Sequence, residues 1–176
     1  MTHNLHKHLT HNIKKNLPIF SLNIGDPFEL EKKIPEFRKL NPRYHLSNVK
    51  AWHSSFFTYK ETTIFDDCIN YLVELSNKII SEYYDNLPIK HKCIHMWVME
   101  YHKGDHSDIH CHYPADWSLV YYINADKNSS PILLENQIEM YPEPGLLLIF
   151  PGIIEHMVPK TKSFRRAIAM NLMKDL

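Results

Sequence analysis

The change of hydrophobic period at Pro88 constrains the fold of this chain more than any other feature. From Thr63 to Asn86 the apolar residues recur at three- and four-residue steps, which is typical of one amphipathic helix. After Pro88 short apolar or alternating segments are separated by Gly, Pro, Asn and Asp, as expected of strands and turns. The predicted strands are Cys93 to His102, Trp117 to Asn124, Pro131 to Asn136, Gln137 to Pro142, Gly145 to Pro151 and Arg166 to Met173. Helices followed by strands predict an α+β fold with a mainly β core, in which helices pack on one face of a sandwich or rolled barrel.

The segment before the long helix predicts one further strand and one further helix. Residues 17–24, LPIFSLNI, predict a first strand. Asp26 and Pro27 are residues typical of an N-cap and a first helical position. The helix that they begin contains Pro35, which is expected to kink or break it.

Length and composition favour a single globular domain and carry no signal for binding to nucleic acid or to a membrane. The chain has 176 residues with equal numbers of basic and acidic residues, 20 of each, so no strong nucleic-acid binding is expected. Its three cysteines lack CxxC spacing, which argues against a disulfide framework and a zinc knuckle. We find no signal peptide, transmembrane stretch, repeat or linker, and the oligomeric state stays open. Residues 1–16 are predicted to form a polar, His-rich tail, and residues 17–176 a single, soluble, cytoplasmic domain.

A cluster of histidines and carboxylates before the strand at Trp117 predicts a metal site. A His-x-(Asp/Glu) pair together with a distant His forms a facial triad, which leaves coordination positions open for reactants. Two registers compete for this pattern. His106 and Asp108 fit the usual spelling, whereas His110 and His112 would give three imidazoles; His156 completes either set.

Four motifs resemble those of one enzyme family. Tyr101-x-x-Gly104 places the sixth following residue at His110, and HCHYP is followed by SLVYYIN. Further along, LLLIFPGIIEHMVP contains His156, and RRAIAMN follows it. From about Leu17 to Leu172, this order is similar to that of the Fe(II)- and 2-oxoglutarate-dependent dioxygenases, in the prolyl-4-hydroxylase-like branch. The resemblance implies a double-stranded β-helix, also called a jelly-roll or cupin-like barrel.

The resemblance also implies a ligand set. It favours His110, His112 and His156 as the iron ligands, with His106 and Asp108 as the alternative to the first two. His112 stands where the family usually has a carboxylate, so the site would lack one negative charge. Imidazole nonetheless suits Fe(II).

The same resemblance implies which residues contact the cosubstrate. In the family an arginine on the last motif pairs with the distal carboxylate of 2-oxoglutarate, and Arg166 is the expected counterpart. Tyr122 and Tyr101 are the expected hydroxyl contacts. With Fe(II), 2-oxoglutarate and O2, the expected reaction hydroxylates a protein or peptide side chain such as proline, or a small molecule, and releases succinate and CO2.

Two other classes of function stay open from the sequence. A cupin-type metalloenzyme could use three histidines without 2-oxoglutarate, and it would not need Arg166. A binding protein on a catalytically degenerate oxygenase fold would need neither the metal nor the arginine.

Overall fold

The structure, a computed structural model, describes residues 17–41 and 48–175, so the predicted tail at residues 1–16 lies outside the described residues. The helices are α1 (Leu30–Leu40), α2 (Thr58–Glu61) and α3 (Asp66–Tyr83). The strands are β1 (Phe20–Asn23), β2 (Trp52–His53), β3 (His91–Tyr101), β4 (Ser107–His110), β5 (Trp117–Ala125), β6 (Ile132–Leu134), β7 (Ile138–Met140), β8 (Leu146–Pro151), β9 (His156–Val158) and β10 (Arg165–Lys174). Every strand predicted from the sequence is present, whereas β2, β4, β9 and α2 were not predicted.

The strands form two antiparallel sheets. The six-stranded sheet has the order β1-β8-β5-β10-β3-β2, and the four-stranded sheet has the order β4-β9-β6-β7. Within the described residues these sheets stay separate, so they do not close into one continuous barrel. The predicted α+β class with a mainly β core is confirmed.

The two faces of the large sheet carry different side chains, because successive side chains of a strand point to opposite faces. One face packs against the helices; on β10 it carries Ile168, Met170 and Leu172. The opposite face turns toward the small sheet and, on β10, carries smaller side chains such as Ala167. The predicted packing of helices on one face is therefore confirmed, and the other face is left for a cavity.

A buried carboxylate fastens α1 to the large sheet. Glu100 on β3 is fully buried and accepts hydrogen bonds from Arg166 Nε at 2.7 Å and from Arg38 on α1. Arg166 also donates to Glu31 on α1 at 2.9 Å. The predicted N-cap was wrong, because the helix begins at Leu30 and its N-cap is Glu29. Asp26 nevertheless accepts hydrogen bonds from the backbone N–H groups of Leu30 and Glu31.

No helix of the described residues is long and apolar enough to span a membrane.

Candidate metal centre

Three imidazoles converge at the edge of the small sheet. His110 ends β4 and His156 begins β9, and the two residues lie directly opposite each other in the antiparallel pair. His112 follows β4, and its backbone N–H donates to Gly152 O at 2.8 Å, which holds this loop against the turn before β9. The ring centroids of His110 and His156 are 4.4 Å apart, and the His112 ring lies 5.2 Å from the first and 4.9 Å from the second.

Backbone carbonyls orient two of these rings. His110 Nδ1–H donates to Asp108 O at 2.7 Å, and His156 Nδ1–H donates to Ile154 O at 3.0 Å. These tautomers are assigned from the acceptors, and they leave the Nε2 lone pairs available to a metal. One ligand atom from each of the three histidines lies within 4.8 Å of the others. This spacing suits coordination of a single ion.

Burial and neighbouring charges keep the His112 and His156 imidazoles in the form that binds a metal. Burial, followed by the charge of neighbouring His110, lowers the pKa of His156 to about 4. Burial and the adjacent His156 and His110 lower the pKa of His112 to about 2. Because a metal ligand must be unprotonated, these two rings are ready to bind a cation at neutral pH.

The alternative register is not assembled. Asp108 is exposed, and its Oδ1 lies 3.8 Å from Nε2 of His106, away from the other ligands. Neither side chain belongs to the group of potential ligands, and neither lines the cavity beside it. The geometry therefore favours His110 and His112 as the partners of His156.

A cavity of about 210 Å³ extends from the three histidines into the space between the sheets. Val120, Tyr122 and Ala169 of the large sheet line it, together with Tyr101 and Arg165. A water molecule occupies about 30 Å³ in the liquid, so this space can hold a small organic molecule.

The structure places Arg166, the expected cosubstrate contact, outside the cavity. Arg166 lies on the helix face of β10, paired with Glu100 and Glu31, and it does not line the cavity. Arg165 has the opposite side-chain direction and is 2% exposed. Its guanidinium carbon lies 4.5 Å from the ring centroid of Tyr101 and 5.7 Å from that of Tyr122. Both predicted tyrosines therefore reach the cavity, but the neighbouring arginine accompanies them.

Two polar atoms in this part of the cavity are buried without a hydrogen-bond partner among the described residues. They are the Tyr122 hydroxyl and Arg165 Nε. Burial raises the pKa of Tyr122 and of Tyr101, so both phenols are neutral hydrogen-bond donors at neutral pH. Because unsatisfied buried polar groups are rare in native proteins, this pair indicates the place of an anionic ligand.

The sequence interpretation preferred Arg166 to Arg165 and gave no role to His53, although Arg165 and His53 both line the cavity. Strand alternation was the signal for Arg165, since it shares its side with two alanines, whereas Arg166 shares its side with bulky core residues. His53 stacks on Trp97 with ring centroids 5.6 Å apart. Its strand, β2, has only two residues, which is too short for a periodic signal.

No protein-family model matches the sequence, and no curated protein matches it. Several solved structures share its fold. A Pseudomonas putida prolyl-4-hydroxylase is 12% identical, with a TM-score of 0.64 over 90% of this chain and 93% of that chain. A Trichoplax adhaerens prolyl hydroxylase, solved with a hypoxia inducible factor peptide fragment, is 16% identical, with a TM-score of 0.65 over 88% and 83% of the two chains.

The protein in a third similar structure catalyses a different reaction. The non-heme alpha ketoglutarate dependent epimerase SnoN from nogalamycin biosynthesis is 9% identical, with a TM-score of 0.66 over 88% of this chain and 77% of that chain. The chain thus has the double-stranded β-helix fold of the 2OG-Fe(II) oxygenases, which confirms the resemblance at the level of the fold. The reaction does not follow from the fold.

Proposed function

We propose that the protein is a non-haem Fe(II)- and 2-oxoglutarate-dependent oxygenase that hydroxylates a peptide or protein side chain. One observation carries this proposal. Three imidazoles that could hold a metal line the same cavity as two buried polar atoms without a hydrogen-bond partner, the Tyr122 hydroxyl and Arg165 Nε. The Arg165 guanidinium is held from its other side, where Nη1 donates to Ser130 O at 3.0 Å. A small dicarboxylate that chelates a metal at one end and needs a cationic partner at the other matches this arrangement.

Different residues of the cavity would bind the metal and the cosubstrate. His110, His112 and His156 would hold Fe(II), which together with 2-oxoglutarate and O2 would supply oxidative decarboxylation to succinate and CO2 coupled to hydroxylation, with one atom of O2 going to succinate and the other to the hydroxylated product. Arg165 would bind the distal carboxylate, because a guanidinium pairs strongly with this group, and Tyr122 would donate a further hydrogen bond. The apolar walls of the cavity keep bulk water away from the reactants.

The surface beside the ligands supports a peptide substrate. Ile109, Tyr113 and Ile153 are 53%, 77% and 59% exposed, and they flank the ligand residues along the chain. A shallow depression lined by Phe57 and Tyr113 shares His112 with the cavity. The similar Trichoplax protein was solved with a peptide fragment. Proline-containing peptides with apolar neighbours are therefore the first substrates to screen by succinate release.

Anaerobic spectroscopy tests the proposed cosubstrate site. Metal-free protein is given Fe(II) and then 2-oxoglutarate, and the visible metal-to-ligand charge-transfer band is recorded. Wild type is expected to form the band, and Arg165→Gln to need roughly tenfold or more 2-oxoglutarate, since a charge-assisted pair contributes about 1.5–3 kcal/mol. Arg166→Gln is the matched control and is expected to form the band at the wild-type concentration. Equal behaviour of the two variants would contradict the assignment.

The neutral ligand set favours one second candidate, a three-histidine metalloenzyme of the cupin type that does not use 2-oxoglutarate. All three candidate ligands are imidazoles. This enzyme would take up metal but form no band with 2-oxoglutarate, and Arg165→Gln would leave its activity unchanged. A protein that binds neither metal nor 2-oxoglutarate would instead be a binding protein on a degenerate oxygenase fold.

A further inference from the structure

The charge balance of the cavity is unusual for a site that holds a divalent cation. Its charged wall residue is Arg165, and no Asp or Glu is among the described residues that line it. The residues outside the described ranges, 1–16, 42–47 and 176, contain no Asp or Glu either. No aspartate or glutamate side chain of the chain therefore lies in the cavity wall.

Two acidic residues in this part of the fold, Asp108 and Glu100, are directed away from the cavity. Asp108, two residues before a ligand, is exposed and faces His106. Glu100 is fully buried, but it lies on the helix side of the sheet, where Arg38 and Arg166 neutralise it. Neither carboxylate is placed to balance a metal at the three imidazoles.

A metal alone would therefore make the cavity strongly positive. A divalent ion and the Arg165 guanidinium sum to three positive charges, and the imidazoles and phenols add none of the opposite sign. Repulsion between like charges is greater in a buried site than in water, because the effective dielectric constant is lower. A dicarboxylate that contacts both the metal and Arg165 would cancel two of the three charges.

We propose that the dicarboxylate cosubstrate supplies the negative charge that the three-histidine ligand set lacks, so that retention of the metal at His110, His112 and His156 depends on the concentration of that dicarboxylate. This inference rests on the proposed function. Linkage is reciprocal, so the dicarboxylate raises metal affinity by the same factor by which the metal raises dicarboxylate affinity. Metal occupancy would then respond to the supply of 2-oxoglutarate.

Anaerobic Fe(II) affinity, measured by competition with a chromogenic chelator, tests the dependence without requiring activity. In wild type, saturating 2-oxoglutarate is expected to tighten Fe(II) binding on the order of 10- to 100-fold. Two partial anions separate the contributions. Succinate can pair with Arg165 but lacks the 2-oxo group, and 2-oxobutyrate can chelate the metal but lacks the distal carboxylate. Each is expected to give a smaller effect than 2-oxoglutarate.

Two substitutions change the charge balance in a predictable direction. His112→Asp returns one negative charge to the ligand set, so Fe(II) alone should bind on the order of tenfold more tightly and the 2-oxoglutarate effect should shrink. Arg165→Gln removes the opposing cation, so it too should tighten binding of Fe(II) alone while weakening the response to 2-oxoglutarate. Lys162→Gln is the control, because it removes an exposed cation three residues earlier that does not line the cavity.

The outcomes separate the inference from the function on which it rests. If 2-oxoglutarate produces the charge-transfer band but the gain in Fe(II) affinity is as large in His112→Asp as in wild type, the inference is overturned and the oxygenase proposal stands. The inference is also overturned if Arg165→Gln and Lys162→Gln bind Fe(II) alone equally. If no band forms at any concentration, the oxygenase proposal itself fails. Thermal melts of each variant exclude loss of the fold as the cause.

Discussion

At the scale of single residues, the cavity holds polar groups that oppose stability in the absence of a ligand. The buried Tyr122 hydroxyl has no hydrogen-bond partner in the described ranges. Tyr122→Phe is therefore expected to leave the free energy of unfolding of the ligand-free protein unchanged or to raise it by up to about 1 kcal/mol, while weakening 2-oxoglutarate binding. Chemical denaturation and titration of the charge-transfer band measure the two effects.

The neighbouring tyrosine provides the matched comparison. Tyr121 points to the helix side, and its hydroxyl donates to Gly25 O. Tyr121→Phe should lower the free energy of unfolding by about 1 kcal/mol and leave 2-oxoglutarate binding unchanged. If the two variants had the same effect on stability, the unpartnered state of the Tyr122 hydroxyl would be contradicted.

The candidate ligands illustrate how far the sequence can identify a site residue by residue. Spacing alone left two ligand sets open, because the sequence of a histidine two residues from an aspartate does not show whether the pair lies in a strand or in a loop. The structure brings His110, His112 and His156 together and leaves His106 outside. Arg166 was preferred to Arg165 because the family motif fixes a spacing only approximately, whereas a shift of one residue reverses the side of the sheet.

At the scale of elements, the buried charge cluster between α1 and the large sheet sets the position of this helix. Glu100→Gln would remove the carboxylate that Arg166 and Arg38 share. Arg166 would then keep only the partly exposed Glu31 as its ionic partner, so we expect a loss at the low end of the range for breaking a buried ion pair, about 3 kcal/mol in the free energy of unfolding. Hydrogen exchange should show faster opening of α1 than of α3.

An exposed ion pair serves as the control for this prediction. Glu82 lies 4.0 Å from Lys78 on α3, and both side chains are more than half exposed. Glu82→Gln should change stability by less than about 0.5 kcal/mol. Comparable losses in both variants would show that the cluster around Glu100 has no special role.

The elements that the sequence failed to predict share a physical reason. The strands β2, β4 and β9 have two, four and three residues and each contains a histidine, so none shows the apolar run by which the equally short β6 was recognised. They exist because neighbouring strands offer them partners, as β9 does for β4. Two of these three strands carry candidate metal ligands. The longer elements α3, β3, β5 and β10 were predicted because each is long enough to show its hydrophobic periodicity in the sequence.

At the scale of the whole molecule, the cavity between the sheets makes stability depend on pH through its buried histidines. Burial lowers the pKa of His53 to about 4 from an ordinary value of 6.5. As the pH falls below 6.5, the unfolded chain takes up a proton that the folded protein still excludes. The stability contributed by neutral His53 is therefore complete above about pH 6.5, is lost progressively down to about pH 4, and does not change further below that.

Denaturation of the metal-free protein at pH 7.0, 5.5 and 4.5, with a His53→Gln variant in parallel, measures this contribution. At pH 7.0 the variant should be less stable than wild type, because His53 packs on Trp97 and Phe56. Between pH 7.0 and pH 4.5 the free energy of unfolding of the variant should rise relative to that of wild type by on the order of 2 kcal/mol, since one pKa unit corresponds to about 1.4 kcal/mol. The difference in stability should therefore shrink or reverse. The Tyr121→Phe difference should stay constant, because burial raises the pKa of that phenol far above this range. A His53→Gln difference that is equally constant would show that His53 is protonated alike in the folded and unfolded states, and that the interior between the sheets is open to water.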